Sequence, residues 1–122
     1  MIYDSTVITY IKNLAKKYAA TEQGQWLNDI PWITFPIRIK DLFGEGSAHV
    51  FTDTIFLKPQ DREDTLFGFY VHELRHKWQQ KKQGLILYAL RNLLRLNEPD
   101  ADQQTELGIL FYGEQKYGNK NV

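Results

Sequence analysis

Apolar residues recur near the start of the chain at Val7, Ile8, Ile11, Leu14, Ala15 and Tyr18, with Lys12, Lys16 and Lys17 falling between them. This 3.6-residue spacing predicts an amphipathic helix that Asp4 or Ser5 can cap. Residues 21–31, with Gly24 inside and Ile30-Pro31 at the end, read as a loop holding one turn around Trp26 and Leu27. The period then changes. β-Forming side chains run over 32–42 and alternate at Ile37-Arg38-Ile39-Lys40, interrupted by Pro36, which cannot donate to a ladder. After a turn at Gly44-Glu45-Gly46-Ser47, two further strands are expected at 48–52 and 54–57. Three short strands make a small, mostly antiparallel sheet that needs a helix against one face.

A second helix follows, started by Asp61 or Asp64, with Leu66, Phe67, Tyr70, Val71, Leu74 and Trp78 as its buried side and Gly84 ending it. Residues 85–96 predict a third helix, strongly apolar and read as core. It has room for an exposed partner patch, but nothing in the sequence selects one. A fourth begins near Asn97 and Pro99 and runs to about residue 112, leaving a polar tail over 113–122 that frays. The whole is one α+β domain over 1–122: an N-terminal helix, a short three-stranded sheet, a long helix and two C-terminal helices.

Composition narrows the function classes. A hydrophobic content of 43% and a charged content of 25% are those of a folded globular protein. Lys+Arg and Asp+Glu both number 15, so no net charge draws the chain to nucleic acid or to an anionic membrane. Lys77, Lys81 and Lys82 beside Trp78 read as a solvated cationic helix end. The absence of cysteine removes disulfides and thiolate metal sites, so any metal must use His, Asp and Glu. The charged N-terminal segment is no signal peptide, and the apolar run 85–90 is too short to span a bilayer, which points to the cytoplasm.

The second helix carries His72-Glu73-Leu74-Arg75-His76. Positions i and i+4 share a helix face, so the imidazoles of His72 and His76 can converge on one ion. Glu73 then lies beside that ion, where it can act as general base on a water activated there. Two histidines do not complete a hydrolytic zinc site, which takes three protein ligands. In Asn97-Glu98-Pro99-Asp100-Ala101-Asp102, Glu98 falls at the start of the fourth helix, within reach of the ion, with Asp102 one turn on. Asp102 can accept a hydrogen bond from the other N–H of a ligand histidine and so fix its tautomer. Asp100, Asp102 and Glu106 are neighbouring carboxylates able to replace Glu98 under a different helix start. His49, the third histidine, reads as a strand residue at the rim.

His-Glu-x-x-His on one helix, then Asn-Glu-x-x-x-Asp or Glu-x-x-Ala-Asp on a later one, resembles the gluzincin zinc metallopeptidases, with the match mainly over 48–106. The resemblance implies a zincin-like fold and a Zn²⁺ ion held by His72, His76 and Glu98. It also implies Glu73 as general base and Asp102 as support behind a ligand. The substrate it implies is an extended peptide pairing with strand 48–52. The chain lacks the second lobe and the downstream histidine of the large family members, so it is similar to minimal, single-domain gluzincins. Oxyanion stabilisation would fall to a tyrosine (Tyr112, Tyr88 or Tyr117) or to His49. The expected activity is therefore zinc-dependent peptide hydrolysis. The alternative is a catalytically silent binding or regulatory module, for example a phage or mobile-element protein, that uses the cleft for a partner.

Overall fold

A computed structural model describes residues 5–40 and 53–118. The described architecture is mixed α+β and mostly helical: α1 (Ser5–Tyr18), β1 (Ile37–Ile39), β2 (Ile55–Leu57), α2 (Glu63–Gln83), α3 (Leu85–Leu93) and α4 (Glu98–Tyr117). The predicted stripe of α1 buries Ile11, Leu14, Ala15 and Tyr18. Together with Trp26, Leu27 and Phe35 they pack around Leu66, Phe67, Tyr70, Val71 and Leu74 of α2.

Between α1 and β1 the chain makes two 3-10 turns, at Gln25–Asp29 and Trp32–Thr34, so the strand expected from Trp32 is confined to Ile37–Ile39. The Pro31 carbonyl accepts both the Thr34 N–H and the Thr34 hydroxyl, and this local closure competes with an extended backbone. β1 and β2 pair in parallel with Ile37 opposite Ile55, where the sequence pattern suggested a mostly antiparallel sheet. A parallel pair needs a return connection of about a dozen residues or more, and residues 40–54 supply it. The turn at 44–47, the strand expected at 48–52 and His49 lie outside the described residues.

α2 is the central helix. Besides its apolar residues it buries His72, Glu73, His76, Lys77 and Gln79, so no single polar face remains. Gly84 ends it at a φ of 81°, in the left-handed region where a side chain is strained, and its N–H donates to the Gln80 carbonyl. α3 departs most from expectation. It stops at Leu93 and buries only Tyr88, leaving its other apolar residues exposed. α4 runs five residues past the expected end. Lys116, on its last turn, bonds Glu63 and the Tyr112 hydroxyl. None of the described helices is long and apolar enough to cross a membrane.

α2 and α4 are antiparallel and pack closely along their lengths. Glu63 meets Tyr112, Gly68 meets Gly108, His72 meets Thr105 and Gln79 meets Asn97. At the crossing a Cβ on Gly68 would lie 2.8 Å from the Thr105 carbonyl oxygen, a backbone atom that cannot rotate away. Gly68→Ala should therefore destabilise the protein by about 1–3 kcal/mol through overpacking, although alanine gains about 1 kcal/mol in helix propensity. Thermal unfolding measures this, and an unchanged or raised Tm would show that the helices are not in contact there.

Candidate metal centre

His72 and His76 stand one turn apart on α2, and the antiparallel packing of α4 brings its first residue, Glu98, to both of them. His72 Nε2 and His76 Nε2 are 3.2 Å apart, Glu98 Oε1 is 3.1 Å from His76 Nε2, and Glu98 Oε2 is 3.5 Å from His72 Nε2. Two ligands about 2.0–2.1 Å from a tetrahedral ion are about 3.3 Å apart, close to the separation of the two imidazole nitrogens and of each from its nearer Glu98 oxygen, and one ligand atom from each residue lies within 4.8 Å of the other two. Among the described residues this is the only group of three or more His, Cys, Asp or Glu with that convergence. Glu98 has a third of its side chain exposed while the imidazoles are buried, so the centre opens to solvent on the carboxylate side.

The hydrogen bonds behind the imidazoles decide which atoms face the centre. The Gln79 amide nitrogen donates to the Asn97 carbonyl at 3.0 Å and to Asp100 at 2.8 Å, which turns its Oε1 towards His76. An amide oxygen only accepts, so His76 Nδ1 carries the hydrogen and donates to it over 2.8 Å. The Thr105 hydroxyl donates to the Ala101 carbonyl at 3.3 Å and so accepts from His72 Nδ1 at 3.0 Å. In the neutral imidazoles both Nε2 atoms then present lone pairs to one point, where a carboxylate adds more. Such a cluster of acceptors repels itself without a cation between them.

Asp102 sits on the expected side of His72, but its Oδ1 is 3.5 Å from Nδ1 and its side chain is mostly exposed, so Thr105 is the closer support. Sequence reasoning missed Gln79 and Thr105. Gln79 lies three residues after His76, and Glu98, Asp102 and Thr105 fall at i, i+4 and i+7, so helical spacing alone would have flagged both. Arg75 engages residues beside the centre and not the imidazoles themselves. Its guanidinium forks Asp100 at 2.7 and 3.1 Å and lies 3.8 Å from the Trp78 ring centroid. It thereby holds the carboxylate that orients Gln79.

Glu73 is buried, at 2% exposure. Lys77, one turn on, is also buried, which corrects its reading as a solvated residue. Burial pushes its ammonium pKa down, while the carboxylates of Asp53 and Glu73 oppose that shift. The Tyr88 ring meets His76 edge-on at 6.3 Å. Burial raises the pKa of its hydroxyl, a hydrogen bond with Gln80 opposes the shift, and the charges of Glu73 and Glu98 add to it. Of the tyrosines considered, Tyr88 is therefore the one at the centre. The Tyr112 hydroxyl instead donates to Glu63 at the far end of α2, and fourteen residues of α4 separate it from Glu98, about 21 Å along the axis. Tyr117 is further still and exposed.

No family model, curated protein or solved structure matches the chain. Gln79→Leu and Thr105→Val should each weaken zinc binding about 10–100-fold in a chelator competition, by releasing one imidazole from its fixed orientation. Equal affinity in both variants would mean that these contacts do not orient ligands.

Proposed function

We propose that the chain is a zinc-dependent hydrolase of the minimal gluzincin type, acting on peptide bonds, with His72, His76 and Glu98 as the ligands. The observation supporting this most directly is the convergence of two buried imidazole lone pairs and a carboxylate, each imidazole held from behind. The donor set contains imidazole and carboxylate but no thiolate, which suits Zn²⁺ at a hydrolytic site. When bound, zinc would supply a Lewis acid and lower the pKa of water at its open position.

The remaining steps belong to the chain's own residues. Glu73 follows the first ligand directly in sequence and would take a proton from the attacking water and return it to the leaving amine. Gln79 and Thr105 hold both ligand rings, with Asp102 as a more distant partner of His72. Tyr88, kept protonated by burial, replaces Tyr112 as the phenol able to donate to the developing oxyanion. The substrate in this reading is an extended peptide, as the family resemblance implies.

Glu73→Gln should retain one zinc per chain by elemental analysis yet lose about 10²–10⁴-fold in turnover on a peptide library. Glu98→Ala should lose the metal itself. Full turnover in Glu73→Gln would remove the proposed base, and undiminished zinc in Glu98→Ala would remove the third ligand. Stoichiometric zinc in the parent protein without cleavage of any peptide would identify a binding module instead.

A further inference from the structure

α3 is amphipathic in the reverse sense for a packed helix. Ile86, Leu87, Leu90 and Leu93 are 49% to 80% exposed, and at 100° per residue they occupy one arc of about 120°, with exposed Leu94 directly after the helix end. Tyr88, the residue α3 buries, lies on the opposite side of the helix. The arc presents on the order of 600 Å² of apolar surface, the upper end of what a monomer leaves in water.

The charge along this stretch of sequence is one-sided. No Asp or Glu occurs from residue 74 to residue 97, a stretch with six Lys and Arg, although the chain as a whole is neutral. Lys81 and Lys82 close α2 immediately before the apolar arc, Arg91 borders it on the helix, and Arg95 follows it. Asp29 meets two of these cations: Lys82 lies 3.4 Å from its carboxylate, and Lys81 donates to its carbonyl oxygen. Arg91 bonds only weakly to the Asn97 amide oxygen, at 3.4 Å, and Arg95 is exposed.

We propose that α3 is an interfacial helix that seats the protein on an anionic lipid bilayer. Its apolar arc would enter the acyl boundary while the flanking lysines and arginines meet lipid phosphates. An exposed apolar arc edged by cations is the pattern of helices that lie in a membrane interface. The same charge disfavours a second copy as the occupant. A two-fold pairing of the arcs would bring Lys81 and Lys82 towards Arg91 and Arg95 of the other copy, four cations against the one carboxylate of Asp29 beside Lys82.

Co-sedimentation with vesicles of one part phosphatidylglycerol to two of phosphatidylcholine tests this. Binding should be at least about tenfold stronger than to phosphatidylcholine alone and should fall with added salt. Replacing Ile86, Leu90 and Leu93 together by serine should reduce it about tenfold or more at unchanged Tm, because these side chains are exposed. Arg91→Glu with Arg95→Glu should do the same, and chelation of metal should change neither result. No binding to either vesicle, equal binding to both, or retention by the serine variant would overturn the proposal. So would a dimer in sedimentation velocity that the serine variant abolishes.

Discussion

Where α2 crosses α4 a Cβ added to Gly108 would sit 3.2 Å from the Gly68 Cα, so the two backbones approach with no side chain between them. That contact sets the spacing of everything further along the pair. Thr105, whose carbonyl abuts Gly68, sends its hydroxyl to His72, and one turn nearer the N-terminus of α4 Ala101 is completely buried. Beyond them Glu98 arrives beside both histidines. The Gln104 amide oxygen anchors the other side of α4 by accepting from Tyr18 and Trp26 at 2.7 and 3.1 Å, which ties α1 and the 25–29 turn to the same helix. A small apolar crossing thus fixes a polar centre about two turns away.

The centre is costly to the fold. α2 buries five polar or charged side chains, and burial of each disfavours folding unless it is partnered. Arg75, Asp100 and Gln79 form a connected set that meets that requirement for His76, and Arg75 in turn stacks on tryptophan. Asn97 joins the arrangement from the other end: its amide oxygen accepts from Gln83 at 3.0 Å and its carbonyl from Gln79. Its side chain thus links α2 to the start of α4 instead of capping the helix, and it fixes where Glu98 begins. Where both imidazoles are neutral, a bound cation would relieve the mutual repulsion of the convergent acceptors.

Much of the fold was legible in the sequence because local periodicity and burial agree in α1 and α2. The Ile11–Leu14–Tyr18 stripe and the Leu66–Phe67–Val71–Leu74 face are both buried where the pattern puts them. Reading failed where the two come apart. In α3 an apolar stripe implied core, yet tertiary packing takes only Tyr88. Lys77 seemed solvated from its neighbours Lys81 and Lys82, but it sits on the inner side of α2. The β-forming Trp32-Ile33-Thr34 closes into a 3-10 turn between two prolines, and strand direction depends on a connection that residue pattern does not specify. At the centre, helix spacing and chemistry point to His72, His76 and Glu98, and the same spacing puts Gln79 and Thr105 on the right faces, but that they bond the two imidazoles depends on the register in which α2 packs on α4.

The hydrolytic function proposed for this chain depends on His72, His76 and Glu98 holding one divalent cation between them. X-ray absorption at the zinc edge on protein loaded with one equivalent of zinc tests it most directly. The expected spectrum has a nitrogen and oxygen shell at about 2.0–2.1 Å, no sulfur, and the outer-shell scattering of two imidazoles. A spectrum of zinc coordinated by water and carboxylate alone, without imidazole scattering, would contradict it.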